Sequence, residues 1–427
     1  MLSDDIKAAT DRQHFLAVRN SYLTSARPIQ SPEHLKGRAQ TLNALIDALS
    51  SPGRHAFIYG YRGVGKSSLA QTTAYQLQSS FASPILIACE PASTFGSICA
   101  DIIHIAANVK PLERKDQTKL NLGASVAGYG GNLGVEKTPT SPREINITSV
   151  NEAISYFRNV CEGKPGFLVV VDEFDQLTVA EEHQKFALLI KQLSDQRLPV
   201  QFIFCGIAES IERLFSQHES IFRQIHSVLV KRLDPQGCID IIEDAASALK
   251  IEIRNDYKYR IAQISDGFPS FVHLIAEKVF TAAFDSGVSA INQDAYEKGI
   301  LEAIGSVELS LKRSYESTLH RNTHKYEHVI WAVANDKLLE VNVDTIWGHY
   351  NTICEQQKIA PVTRSNMNSK LSQLTKQQYG SLLEKPRRSN YTFSESMMRA
   401  YARLRAERHG CHLGPENPAL VVRKNAA

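Results

Sequence analysis

The sequence has no run of about 18 uncharged apolar residues, so no membrane-spanning helix is expected. Its opening residues, MLSDDIKAATDRQHF, lack the basic-then-apolar profile of a secretory signal, and the expected compartment is the cytoplasm. Cysteine pairing is missing as well. The seven cysteines (Cys89, Cys99, Cys161, Cys205, Cys238, Cys354, Cys411) are odd in number and include no CxxC pair. This argues against a disulfide framework or a zinc knuckle and for buried free thiols. The stretch HGCH at 409–412 has metal-ligand residue types but reads as part of a polar tail. Nor is there a strong overall charge: the formal balance is +3, and its distribution says more than its size. Between Pro361 and Arg405 nine Lys or Arg face two Glu, a local +7 that leaves −4 for the rest of the chain. A basic segment on a slightly acidic body fits a localised polyanion contact, or a merely solvated face.

What is present is an ordinary globular composition, 43% apolar and 22% charged over 427 residues, enough for two or three domains. The stretch HAFIYGYRGVGKSSLAQTTAYQL (55–77) predicts a buried strand over Ala56–Tyr59, a glycine-rich turn and a helix starting near Lys66. Gly60, Gly65, Lys66 and Ser67 fit GxxxxGK[ST] in that strand-to-helix context. Such a loop curls around phosphates: backbone N–H groups and the helix N-terminus cradle them, Lys66 neutralises them, and the Ser67 hydroxyl ligates Mg2+. Gly60, Tyr61, Arg62, Gly63, Val64, Gly65, Lys66, Ser67 and Ser68 are the expected nucleotide-contacting residues. A purely structural glycine turn is the alternative, and the next motif weighs against it.

In GFLVVVDEFDQL the apolar residues Phe167–Val171 predict a strand buried on both faces. Asp172 and Glu173 follow at its carboxyl end, where open α/β sheets bind ligands. Asp172 is expected to hold Mg2+ through a water, and Glu173 to polarise the water that attacks the γ-phosphate. A lone DE after a strand also serves as a helix cap; paired with the upstream loop it points to ATP hydrolysis. A third strand, PVQFIFCG (199–206), is expected beside this one.

At these residues the chain resembles AAA+ ATPases, and more narrowly the origin-recognition initiator ATPases and related bacterial transposition and defence ATPases. The resemblance runs over about residues 30–405 and is strongest in the loop and the acidic strand. It implies a P-loop α/β core with a helical lid and a C-terminal winged helix. The implied domains are an N-terminal helical segment (1–30), the core (31–234, with a hairpin or loop inserted at 113–145), the lid (235–310), the winged helix (311–408) and a flexible tail (409–427). It places Gly37 and Arg38, in PEHLKGRAQ, near the adenine. It implies a γ-phosphate sensor at the end of the third strand, where this chain has Cys205 and Gly206 instead of Asn or Thr. The lid shows Gly267, Pro269 and His273 rather than a second-sensor arginine, a pattern closer to the signal-transducing NTPases. Arg223 or Arg232, with Arg223 favoured, is the arginine that completes a neighbour's site in a homo-oligomer.

From Thr323 onward the pattern predicts three short helices and a hairpin around EKPRRSN, the order of a winged helix-turn-helix, which initiator ATPases carry there. The implied DNA-contacting residues are Arg364, Asn366, Asn368, Lys370 and Gln373 on or near the third helix, with Ser369 and Lys376 close by, and Lys385, Arg387 and Arg388 on the wing. The expected activity is therefore a Mg2+-dependent ATPase acting as a switch on double-stranded DNA. The alternative is a signal-transducing ATPase scaffold or sensor in antiviral defence, whose winged helix contacts an effector protein.

Overall fold

Five short apolar runs become the strands of one parallel sheet. They are β1 (His55–Tyr59), β2 (Ile85–Ala88), β3 (Phe167–Asp172), β4 (Val200–Gly206) and β5 (Ile225–Leu229). Their order is β2-β3-β4-β1-β5, and every neighbouring pair is parallel. Parallel neighbours cannot be joined by tight hairpins, so helices fill the crossovers. After α1 (Asp4–Tyr22) and α2 (Ala39–Leu49), α3 (Lys66–Leu77) follows β1 and α4 (Phe95–Asn108) and α5 (Val150–Cys161) separate β2 from β3. The next, α6 (Ala180–Asp195), leads to β4. This computed structural model describes residues 4–78, 83–108, 145–164, 166–208, 210, 223–320 and 325–414. All but the last residue of the expected 113–145 insertion lies outside them.

The strands are apolar on both faces because both are covered. Phe57, Val169, Val171, Phe202 and Phe204 share one core with Ile98 and Ile102 of α4, Phe157 of α5 and Phe186 of α6. The alternate residues Ile58, Leu168, Val170 and Ile203 are buried too, and α2 and α3 pack on that side. Helix α5 begins with a full capping box, Ser149 and Glu152 each bonding the other's backbone, which fixes where the chain re-enters the sheet layer.

The chain divides after Lys231 into two units, the second also taking Tyr22–Ala26 and Arg62–Val64. In the second unit α7 (Pro235–Leu249), α8 (Asn255–Ser265), α9 (Pro269–Asp285) and α10 (Gln293–Ser306) come first. Helices α9 and α10 cross at Gly299, where a Cβ would lie 2.5 Å from the Val279 Cα, so only glycine permits the approach. Then come α11 (Leu309–His320), α12 (Lys325–Ala334), β6 (Val341–Asn342), α13 (Val343–Gln356), α14 (Arg364–Leu374), β7 (Leu383–Arg387), β8 (Asn390–Phe393) and α15 (Met398–Arg408). The strands form an antiparallel sheet in the order β6-β8-β7. Three helices with such a sheet are compatible with a winged helix. Strand β6 is a two-residue element that the sequence reading omitted.

Helix α15 is the interior of this unit. Its side chains are strongly polar, yet Arg399, Arg403 and Glu407 are buried along with Met398, Tyr401 and Leu404. The chain beyond it does not loosen at once: Cys411 and Leu413 are fully buried, and Gly414 N–H donates to Asn335 Oδ1 at 3.0 Å. The expected tail from 409 thus begins as packed structure.

Candidate functional site

The loop between β1 and α3 takes backbone angles that side chains resist, with φ of 77° at Gly63 and 94° at Gly65. Lys66 donates from Nζ to the carbonyls of Gly60 at 3.1 Å and Tyr61 at 3.0 Å, bringing its ammonium back over the loop. Ser67 lies in the first turn of α3, at the positive end of the helix dipole. Tyr61 and Arg62 are exposed and Val64 is buried. Ser68 has a different engagement: its Oγ accepts the Ile29 N–H at 3.0 Å, while Thr72 Oγ1 donates to the Ile29 carbonyl at 3.0 Å. These two hydroxyls tie the incoming chain to α3. Sequence reading missed that role, for which the small polar residues of KSSLAQTT were the available signal. Gly37 has φ 64°, and Arg38 donates to the Lys231 carbonyl.

The acidic pair is held by the core beneath it. Phe174 is fully buried, 4.8 Å from Phe204, 5.4 Å from Phe186 and 5.9 Å from Phe57 between ring centroids. Anchoring that ring at the end of β3 forces the preceding residue into a left-handed turn: Glu173 has φ 52° and is exposed. A non-glycine residue there stores strain, as functional residues often do. Its N–H donates to Asp172 Oδ1 at 2.9 Å, and the Asp172 carbonyl accepts the Cys89 N–H at 2.9 Å. Strand β4 separates β3 from β1, so the carboxylates and the loop stand two strand spacings, about 10 Å, apart. That gap suits a phosphate chain. Ser67 and Asp172 supply a hydroxyl and a carboxylate oxygen, donors suited to a hard cation that keeps most of its own waters.

The strand between them ends in Cys205 and Gly206, and Cys205 is fully buried with its Sγ 3.9 Å from the Lys66 carbonyl. Burial raises this thiol well above its ordinary range, the Asp172 carboxylate adds to the effect and Lys66 opposes it. Burial, followed by the charges of Asp172, Asp175 and Glu173, pushes Cys89 up to about 12. All seven cysteines are free and buried. Among the described residues no cluster of His, Cys, Asp and Glu is arranged to hold a metal ion. In the HGCH stretch Cys411 is buried and His412 Nδ1 lies 3.0 Å from Glu407 Oε2.

Arg223 precedes β5, whose first residue pairs with His55 at the start of β1, so it stands at the opposite end of the sheet from the loop after Tyr59. There it lines an open cavity of about 820 Å³ with Arg54 and Arg197. Arg232 is paired with Asp266, and its guanidinium lies 5.6 Å from the Phe268 ring centroid. His273, which stands in the lid in place of a second-sensor arginine, accepts the Thr24 N–H at Nδ1 at 3.4 Å.

The basic segment is less available than its charge count implies. On α15, Arg399 and Arg403 bind Asp266 at 2.6 Å and 3.0 Å, and Arg405 binds Glu327 at 3.1 Å. Arg364 is paired with Asp344, and Arg387 approaches Glu340 at 3.6 Å. Lys370 lies 3.6 Å from the ring centroid of Tyr326, and Lys385 5.7 Å from that of Tyr391. The Gln373 carboxamide oxygen accepts from the Tyr326 hydroxyl. Asn366, Asn368, Ser369, Lys376 and Arg388 are exposed.

Residues 34–203 match the family model described as AAA ATPase domain. This chain carries an AAA ATPase domain. Of the solved structures similar to it, the ORC2 protein of Aeropyrum pernix, in ADPNP–ADP complexes, has a TM-score of 0.50 at 14% identity, with 92% of this chain and 98% of that one covered. The Walker-type ATPase PABY2304 of Pyrococcus abyssi has a TM-score of 0.49 at 15% identity, covering 88% and 99%. The Aeropyrum pernix ORC1 protein, solved in complex with DNA, has a TM-score of 0.47 at 13% identity, covering 91% and 96%. At these identities the ORC2 likeness shows the fold alone, a parallel P-loop AAA+ core followed by a helical C-terminal region. No curated sequence relative matches the chain. No helix among the described residues is long and apolar enough to cross a membrane.

Proposed function

We propose that this AAA ATPase domain hydrolyses ATP in a Mg2+-dependent way and that its nucleotide state sets the grip of the C-terminal module on double-stranded DNA. The observation that carries the first part is the pairing of Lys66, folded over its loop, with a Glu173 that is fixed in a left-handed turn two strands away. In this reading the loop N–H groups and Lys66 bind and orient the β- and γ-phosphates. Ser67 and Asp172 would hold Mg2+, which when bound supplies charge neutralisation at the phosphates. Glu173 orients and polarises the attacking water. Arg223 serves a neighbouring copy, so ATP favours self-association.

The second part rests on α15. Arg399 and Arg403 join it to Asp266, which ends α8, so motion of the α7–α10 helices carries α15 and the helices packed on it. The experiment is a Glu173→Gln variant, expected to retain ATP while turnover falls by about 10² or more. Unchanged turnover overturns the mechanism.

A second reading, a scaffold or sensor in antiviral defence whose C-terminal module grips an effector protein, is favoured by the burial of Arg399 and Arg403 and by the ion pairing of Arg364, Arg387 and Arg405. Duplex affinity against salt separates the two: a steep fall supports DNA, and no binding at low salt supports the scaffold.

A further inference from the structure

Met397 occupies the N-cap of α15, a position that favours Ser, Thr, Asp or Asn, and its side chain makes no capping hydrogen bond. It is nevertheless 7% exposed, so the thioether is held by something other than the helix it opens. Gly63 is part of the answer. A Cβ built at Gly63 would lie 2.4 Å from Met397 Sδ and 3.1 Å from Ser270 Oγ, so the thioether fills the space that a side chain there would need. Gly63 also takes φ 77°, and both conditions call for glycine. The preceding residue is engaged as well: Arg62 Nη2 donates to Glu308 Oε1 at 3.0 Å, and Ser310 Oγ donates to the same oxygen at 2.9 Å. That exposed ion pair adds little to folding but gives Arg62 a direction. These contacts are why Arg62–Val64 group with the second unit.

Met397 is in turn close along the chain to the β7–β8 hairpin. Strand β8 ends at Phe393, three residues before it, and Ser394 N–H donates to the Leu382 carbonyl at 3.1 Å, which ties the connection back to the start of β7. Met398 N–H closes a turn on the Glu395 carbonyl at 2.9 Å. The position of the hairpin therefore bears on Met397. A loop that wraps phosphates gives up backbone freedom, and the cost is smaller where the loop is already held.

We propose that Met397 is a positioning residue of the phosphate loop, holding Gly63 in its left-handed turn, and that ATP affinity thereby depends on where the β7–β8 hairpin places Met397. The inference rests on the reading of this loop as an ATP site and deepens it by naming a regulatory contact. Binding is reciprocal, so ATP must also steady the segment that carries Met397.

The test is equilibrium binding of a fluorescent ATP analogue with magnesium, together with steady-state turnover, on the full chain. Wild type, Met397→Ala, Met397→Leu and Leu404→Ala are compared. Met397→Ala is expected to raise Kd and KM by about fivefold or more with kcat changed by less than about twofold, because it removes order in the loop and no reacting group. Met397→Leu refills the space and is expected to stay within about twofold of wild type. Leu404→Ala empties a fully buried position seven residues further along the same helix and controls for general loosening. Its melting temperature is expected to fall with Kd unchanged. Equal weakening of ATP binding in Leu404→Ala and Met397→Ala, or an unchanged Kd in Met397→Ala, overturns the positioning role while leaving the ATP site intact. A wild type that binds no nucleotide removes this inference and the ATP reading together. Amide hydrogen exchange needs no variant to decide the link to the hairpin: ATP is expected to slow exchange across residues 394–398 in the wild type, and unaltered exchange there overturns that link.

Discussion

Arg403 donates from Nη1 to Asp266 Oδ1 across 3.0 Å, although 137 residues separate them in the chain. Arg399 reaches the same carboxylate at 2.6 Å, Arg232 a third time, and all this occurs where Asp266 is 7% and the two α15 arginines 3% exposed. One aspartate does not balance three guanidiniums. Helix-end carbonyls share the rest of the load, Arg403 donating to Ala334 at 2.8 Å and Gln263 at 2.9 Å. Even so, burial lowers Arg403 to about 10, Asp266 acting against that shift. Asp266→Ala leaves buried cations without an anion, and the expected loss is about 3–5 kcal/mol. Thermal melting of the full chain checks this, and a fall of under about 1 kcal/mol shows that the carbonyls alone suffice.

This cluster also marks where sequence reasoning reaches its limit. The phosphate loop and the DE strand were legible because each is a local pattern whose chemistry sits within a dozen residues. The basic count from Pro361 to Arg405 was visible too, but nothing local tells that Arg399 and Arg403 meet Asp266 while Arg388 stays exposed. Long-range pairing decides it. The same holds for Glu173, whose left-handed φ of 52° follows from Phe174 packing on Phe57, Phe186 and Phe204, residues of three other elements. Strand β6 has two residues and carries no period at all.

Strain at Glu173 leads to a prediction of opposite sign for stability and activity. Glycine accepts φ 52° freely, so Glu173→Gly is expected to stabilise the core by about 0.5–1 kcal/mol while removing the water-orienting carboxylate. A raised melting temperature with turnover lowered by about 10² or more is the expected pair of results. A lowered melting temperature shows that the side chain is structurally needed.

His55 gives a pH dependence. It is fully buried at the start of β1, accepts the Phe202 N–H at Nδ1 at 3.0 Å, and burial lowers its pKa from 6.5 to about 3. The folded chain therefore holds it neutral where the unfolded chain protonates it, so its stability contribution is intact above pH 6.5 and is lost as pH falls toward 3. Between pH 6.5 and 5.5 the cost approaches about 1 kcal/mol. Glu407 acts in a more acidic window. Burial raises its pKa, but bonds from His412 and Arg260 outweigh that and hold it at about 2, so its contribution is lost as pH falls through 4.5 toward 2. A His55→Gln variant, which keeps an acceptor and does not titrate, is expected to flatten the loss between pH 7 and 5.5. An unchanged slope assigns it to other groups.

The pairing of Arg364 with Asp344 supplies a test that separates DNA contact from protein contact. Both side chains are at least half exposed, 50% and 71%, so the pair itself adds little to folding and Asp344→Asn is expected to leave the melting temperature unchanged. Its effect on a polyanion is larger, because Asp344 both occupies Arg364 and repels phosphates. Asp344→Asn is expected to tighten duplex binding severalfold at low salt and to steepen the plot of log affinity against log salt by about one unit. Arg388→Ala, removing an exposed wing cation, should make that slope shallower by about one. Arg405→Gln should not change it, since Arg405 is spent on Glu327. A slope that responds to Arg405 as strongly as to Arg388 implies that the module rearranges on DNA. Insensitivity to all three places the contact with protein.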